Sequence, residues 1–313
     1  MNYDDLLYMA MVLKASGYSF TTVTPATHAR VNSRLKNAWA SSLTDVFGWS
    51  RPFRKGAITT QLFDAMHTAN VLEAQGEGWI SRVRASTLGG QLFLHSAYPT
   101  TSSDAIFFGP DTYRFASAIA RHLSDKAADK MSIRRAVDIG CGAGPGAVIV
   151  ALERPQAEVL AVDINDMALR YTTINARLAG ATQIITQRSD LLDGVDGDFD
   201  LIVANPPYLL DAQERTYRHG GGSFGEGLSL AIAGLAKTRL APGGTLLLYT
   251  GTTIIDGKDR FLALVAPLLD ASALEWDYQE LDPDVFGEEL VEPAYADADR
   301  IAAVLLTARR RRS

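Results

Sequence analysis

From residue 135 onward the chain alternates short apolar runs, rich in β-branched residues, with amphipathic stretches at helical spacing. Strands separated by helix-length crossovers assemble as a parallel sheet with helices on its faces, because a tight turn cannot bring a parallel neighbour alongside. Runs at 136–139, 158–162, 183–186, 199–204, 245–249, 274–279 and 301–307 predict seven strands. Only the non-helical stretch 282–299 separates the last two, so they are expected to pair antiparallel at the sheet edge. The fold class that follows is α/β, a doubly wound, mostly parallel sheet with a reversed edge strand. After the second strand, Asn165 can cap a helix, Met167, Tyr171, Ile174 and Leu178 form its apolar stripe, and Gly180 can end it.

Upstream the pattern changes. Helical spacing covers 5–15, 28–43 and 60–73, followed by strand-like runs at 79–85 and 91–95 around Leu88-Gly89-Gly90. Helices followed by a hairpin predict a smaller, winged-helix-like domain over residues 1–105. A helix at 111–123 leads into a second domain over 106–313, with 127–132 as a connecting segment. A chain of 313 residues has room for two such units. With 47% hydrophobic and 21% charged residues, disordered and fibrous classes are excluded. The lone cysteine, Cys141, has no disulfide partner within the chain, and the five scattered histidines lack zinc-site spacing, so no metal is expected. Asp4 and Asp5 stand before the apolar stretch 6–13 where a secretory signal carries Lys or Arg, and no apolar run approaches about 18 residues. A soluble cytoplasmic protein is the expectation.

The first strand is followed by Asp138-Ile139-Gly140-Cys141-Gly142-Ala143-Gly144, and Asp163 ends the second strand 21 residues after Gly142. Glycines there allow close backbone approach to a ligand, and a carboxylate at the end of the second strand can accept two ribose hydroxyls. The dinucleotide spacing is broken, since Pro145 occupies the third glycine position. A nucleoside cofactor without phosphates is implied rather than a pyrophosphate.

Asn205-Pro206-Pro207-Tyr208 directly follows the fourth strand. Loops at the carboxyl ends of adjacent strands face one crevice, so this tetrapeptide is expected beside the glycine turn and Asp163. The prolines fix φ and remove two N–H donors, leaving the Asn205 amide oxygen and the Pro206 carbonyl to accept from a bound amino group. Tyr208 offers a flat face for stacking.

On these motifs, residues from about 107 to 307 resemble the class I S-adenosylmethionine-dependent methyltransferases of the amino-methylating type. The Asn-Pro-Pro-Tyr quartet is similar to that of release-factor glutamine methyltransferases and exocyclic-amine base methyltransferases. The resemblance implies S-adenosylmethionine as cofactor. It places Asp138, Gly140, Cys141 and Gly142 at the methionine part, Asp163 and Ile164 at the ribose end, Asp190 and Leu191 at the adenine, and Asn205, Pro206 and Tyr208 at the target nitrogen. Residues 219–228, with five glycines, resemble a segment of the glutamine branch but are longer, with a displaced acidic residue; the segment reads equally as a surface loop or a substrate lid. At Phe107-Phe108-Gly109-Pro110-Asp111, Asp111 reads as a helix cap and the phenylalanines as core.

Charge is uneven. Residues 1–130 hold 13 Lys/Arg against 10 Asp/Glu, the remainder 17 against 26. Arg30, Arg34, Lys36, Arg51, Arg54 and Lys55 face only Asp45 in their stretch, and Arg82 and Arg84 share a face of the expected wing strand, a pattern that suits nucleic acid. Against this, 282–299 carries seven acidic residues and no basic one, which repels phosphate from a site it overhangs. Three readings remain open: an N-methyltransferase acting on a nucleobase or protein glutamine through its N-terminal domain, a small-molecule N-methyltransferase, and a winged-helix binding protein that senses the cofactor.

Overall fold

A computed structural model describes residues 3–100, 102–125, 133–211, 215 and 217–312. The connecting segment expected at 127–132 lies outside the described residues.

The N-terminal part is helical and then β. Helix α1 (Tyr3–Ala15) is followed by α2 (Pro25–Asn32), α3 (Leu43–Phe47) and α4 (Thr60–Thr68). The long helix expected over 28–43 is therefore not formed. Thr24 caps α2 by accepting from the Thr27 N–H, with Pro25 in the first turn, and the chain leaves the helix at Ser33. Beyond that point Asn37 donates to the Val31 carbonyl and Asn32 to that of Trp49, side-chain bonds that compete with a continuing helix. Helix α4 also stops short, because residues 72–75 are a strand.

Two hairpins follow where the sequence predicted one. β1 (Leu72–Gln75) pairs with β2 (Gly78–Ser81), and β3 (Val83–Leu88) pairs with β4 (Gln91–Ser96), both antiparallel. The run 79–85 is divided at Arg82. Ser81 Oγ both accepts from the Val83 N–H and donates to the Val83 carbonyl, turning the backbone between the two strands.

Helix α5 (Pro110–Ser124) leads to β5 (Arg135–Ile139), α6 (Pro145–Glu153), β6 (Glu158–Asp163), α7 (Asp166–Ala179), β7 (Ile184–Arg188), β8 (Phe199–Ala204) and α8 (Gly227–Arg239). Next come β9 (Leu240–Ile255), the short β10 (Lys258–Asp259), α9 (Arg260–Asp270), β11 (Leu274–Asp282) and β12 (Arg300–Arg310). The seven long strands are ordered β11-β12-β9-β8-β5-β6-β7. The class is the expected one, and the last two strands pair antiparallel as expected. The reversal sits one place inward: β12 runs antiparallel to both β11 and β9, so the reversed strand is flanked on both sides and β11 forms the edge. β9 is also longer than its apolar run, since β12 extends it residue by residue from Thr245 to Ile254.

One apolar cluster joins the two parts. Leu6, Met9, Phe47, Phe53 and Phe93 from the N-terminal part are continuous with Tyr171, Ile174 and Leu178 of α7. Asn175, fully buried on the same helix, exchanges two hydrogen bonds with the backbone of Leu94 in β4 (2.8 and 2.9 Å) and donates to the Ala143 carbonyl (2.9 Å). A buried amide satisfied on both sides fixes β4 relative to the glycine turn.

Candidate active site

The carboxyl ends of β5, β6 and β8 open into one cavity of about 200 Å³. Asp138, Gly140, Cys141, Gly142, Asp163, Ile164, Asp190, Leu191, Asn205, Pro206 and Tyr208 all line it. These residues span 71 positions of sequence, and parallel strand order gathers them at one end of the sheet.

The glycine turn has the conformation its residues allow. Gly140 and Gly142 have φ of +69° and +55°, and a Cβ on Gly140 would meet no protein atom within 4 Å, so its missing side chain leaves open space in the cavity. The Gly142 N–H donates to Asp163 Oδ2 at 3.0 Å, and the Asn165 N–H donates to Oδ1 at 2.9 Å. Asp163 is thereby aimed by backbone, with lone pairs on both oxygens still available. Burial raises its carboxyl above the ordinary range, against the pull of those N–H groups. Ile164 beside it is 47% exposed, an apolar face on the cavity wall.

Asp138 does something different. It accepts from the Ala147 N–H at 2.8 Å in the first turn of α6, and a Cβ at Gly146 would fall 2.7 Å from its Oδ2. Its carboxyl is fully buried and pushed up to about 7 by desolvation, with the nearby Asp163 charge adding to the rise. Cys141 is buried, receives the Thr172 hydroxyl at its sulfur at 3.4 Å, and burial holds its thiol well above the usual range.

Asn205 faces the cavity and its amide makes no hydrogen bond with any described residue. Tyr208 is held from both ends. Its hydroxyl donates to Asp111 Oδ2 at 2.7 Å, while its ring meets the edge of Phe286 at 5.9 Å and lies against Gly251. Any Cβ at Gly251 would sit 2.2 Å from that ring, so only glycine leaves room for it.

Asp111 is not the cap expected of it. Gly109 occupies the cap position of α5, with its N–H donating to the Thr112 hydroxyl. The Asp111 carboxylate instead turns inward, accepting from Tyr208, from the Tyr249 hydroxyl at 2.5 Å and from Arg114 Nη1 at 3.1 Å; Arg114 also reaches Asp282 at 2.5 Å. Burial dominates and raises its carboxyl. Phe108 is core as expected, whereas Phe107 is half-buried on the cavity wall. The parts of this network contributed by Tyr249 and Arg114 carried no sequence signal, since neither residue stands in a motif.

The glycine-rich segment packs against the Asn-Pro-Pro-Tyr loop. Leu209 N–H donates to the Arg218 carbonyl and Gly220 N–H to that of Leu209, at 3.1 and 2.9 Å. Glu226 accepts the N–H groups of Ser223 and Phe224 and so closes the segment on itself. From the acidic stretch, Phe286 reaches the cavity, the Tyr295 hydroxyl accepts from the Leu210 N–H at 2.8 Å, and Glu289 pairs with Arg218.

Four aspartates, 111, 138, 163 and 190, line the cavity against one cation, Arg218, which is ion-paired with Asp211 and Glu289. Such a donor set suits a ligand carrying positive charge and opposes a pyrophosphate.

Residues 108–253 match the model of the methyltransferase small domain family. A release factor glutamine methyltransferase of Xylella fastidiosa is 36% identical over 135 residues, covering 39% of this chain and 49% of that protein. This chain therefore spans about half the length of that relative. One from Deinococcus radiodurans is 30% identical over 234 residues, covering 69% of this chain and 78% of its own. A transferase of Pyrococcus horikoshii superposes with a TM-score of 0.50 at 11% identity, covering 81% of this chain and 83% of its own, a likeness of fold. The glycine turn, the acidic cavity and a relative matched over most of its length agree on one conclusion: the chain belongs to the class I S-adenosylmethionine-dependent methyltransferases.

Proposed function

We propose that this protein transfers a methyl group to a planar amide nitrogen of a polypeptide, the glutamine side chain being the model acceptor. The observation that carries the reading is Asn205, whose side chain has no partner among the described residues, at the cavity wall in the register after β8 that the glutamine-methylating relatives' motif implies.

The cavity fits S-adenosylmethionine. The open space over Gly140 accepts a close-lying ligand, Asp163 retains lone pairs for a ribose, Ile164 and Leu191 offer apolar faces beside Asp190 for adenine, and the acidic lining favours a cation. When bound, that cofactor supplies an electrophilic methyl group. The chain's task is to hold the acceptor. Asn205 Oδ1 and the Pro206 carbonyl accept the two N–H bonds of a bound NH₂ group, turning its lone pair out of conjugation, and Tyr208 stacks on the amide plane, itself fixed by Asp111 and Gly251. The nitrogen proton becomes acidic only as positive charge develops, so no strong base is needed beforehand.

The choice of polypeptide over nucleic acid rests on what the basic residues do. Arg51 is buried against Asp45 and Asn32, Arg84 is buried and donates to the Gly48 carbonyl, Arg82 pairs with Glu73 and Arg54 with Glu77. Arg82 and Arg84 thus share no exposed face, and the mouth residue Arg218 is neutralised. The N-terminal region 1–105 serves in this reading as the module that grips the substrate protein.

The test uses S-adenosylmethionine labelled in its methyl group and a cell extract. Label in protein that acid hydrolysis releases as methylamine is the expected result. Label removed by ribonuclease, or confined to small molecules, would overturn the assignment. In the same assay Asn205→Ala should lower turnover about 100-fold or more with cofactor affinity intact, because its contact strengthens as charge develops.

A further inference from the structure

A second, much smaller cavity lies in the N-terminal region, separated from the first by Phe107 and Phe108, which line both. Thr22, His28, Arg84 and Tyr98 complete the part of its wall that matters here. Arg84 is 5% exposed and His28 3%. Among the described residues, Nη2 of Arg84 finds no hydrogen-bond partner and neither ring nitrogen of His28 makes a well-formed hydrogen bond, all three atoms being buried.

Among the described residues no carboxylate forms an ion pair with Arg84. Its Nε donates to the Gly48 carbonyl at 2.9 Å and its guanidinium lies 5.7 Å from the centre of the Phe20 ring, so the group is held in place while part of its fork stays idle. A buried cation with no counter-charge is costly, and a water molecule in the cavity would satisfy donors without compensating the charge. Burial, with the Arg84 and Arg51 charges adding to it, pushes His28 down to about 4 against a hydrogen bond toward the Trp49 carbonyl, so the imidazole is neutral at physiological pH and lies beside Arg84 as an uncharged reporter of the cavity. Its ring is held 4.1 Å from Tyr98 and 5.6 Å from Trp49.

We propose that Arg84 forms a carboxylate-binding site beside His28, adjoining the methyltransferase cavity across the wall made by Phe107 and Phe108. The cavity has room for about one oxygen-sized centre, about 10 Å³, which admits the end of a carboxylate and is too small for a tetrahedral phosphate. With Nε given to Gly48, the idle Nη2 offers one charge-assisted hydrogen bond to the carboxylate oxygen that enters. The carboxylate comes either from an acidic side chain of a polypeptide or from a free small acid.

The experiment follows the His28 ring resonances of the full-length chain, labelled at histidine, during titration with sodium acetate and, separately, sodium chloride at matched ionic strength. Acetate should move His28 saturably and chloride should not. Arg84→Met should weaken acetate binding about tenfold or more. Arg84→Lys, which keeps the charge but not the position of the Nη2 donor, should bind with intermediate affinity and stands in if the methionine variant does not fold. Two capped peptides separate the sources: one with a central glutamate, the other with glutamine in its place. Tighter binding of the glutamate peptide than of acetate assigns the site to polypeptides, and equal or weaker binding assigns it to small acids. Acetate acting no more than chloride, as it would if the cavity held water only, overturns the proposal. So does acetate affinity unchanged in both Arg84 variants. No methylation is measured, so the outcome is independent of the activity proposed above.

Discussion

Charged and polar residues that look alike in the two halves include several with different fates. In the sheet domain, Asp190 and Asn205 reach the cavity with their side chains unpaired to described residues, and Asp163 is aimed by backbone N–H groups that leave lone pairs on both oxygens. In the N-terminal region, Arg51, Arg54 and Arg82 each answer a carboxylate of the same region. A charge left unanswered by its own fold is available to a ligand, and one that is answered and buried, as Arg51 is, holds structure. The same residue types, read along the chain, look alike in both halves.

The contrast can be broken experimentally. The largest effect is expected for Asp163→Ala, which should weaken S-adenosylmethionine binding by about 100-fold or more, since hydrogen bonds to a charged acceptor contribute about 1.5–3 kcal/mol each. Calorimetry reads it directly, and affinity equal to wild type would remove Asp163 from the cofactor site. Next is Arg51→Ala. Loss of its buried ion pair with Asp45 should destabilise the chain by about 2–3 kcal/mol in urea unfolding, with cofactor affinity unchanged. Exposed Arg30→Ala and Arg34→Ala should leave stability alone. If Arg51→Ala were as stable as wild type but lost affinity for RNA, the residue would belong to an interface and the contrast would fail.

The smallest effect concerns Asp138. Burial pushes its folded carboxyl up to about 7, above the ordinary carboxylate value, so between about pH 4 and pH 7 this group binds more protons in the folded chain than in the unfolded one. The contribution of Asp138 to stability should therefore fall as pH rises through that window, opposed there by His28, which burial pushes down to about 4, and Asp138→Asn should make the net slope of stability against pH more positive. Urea midpoints taken across the range would show it. An identical slope in the variant would mean that another buried group, such as Asp111 or Asp163, carries the dependence.

Much of the sheet domain was legible because parallel strands buried on both faces write themselves as apolar runs, and β8 begins and ends where its run does. The helix α7 likewise begins after its Asn165 cap and ends at Gly180, which takes the left-handed conformation that stops it. The N-terminal half was read less well. A weakly amphipathic stretch at 28–43 carries helical spacing, yet Asn32 and Asn37 satisfy backbone carbonyls elsewhere and break it. The division of 79–85 hangs on one serine hydroxyl, which no periodicity records.

The sequence by itself determined the class of fold, the place of the glycine turn and of Asn-Pro-Pro-Tyr after their strands, and therefore the gathering of the cavity residues, because strand order and side-chain alternation follow from local pattern. Tertiary structure alone decided what individual polar groups do. Asp111 became the anchor of Tyr208 and Tyr249 rather than a cap, Arg51 a buried strut, and Arg84 a cation without a counter-charge. The reason is physical: the energy of a charge depends on what lies within a few ångströms after folding, and those neighbours come from segments as far apart as residues 111 and 249.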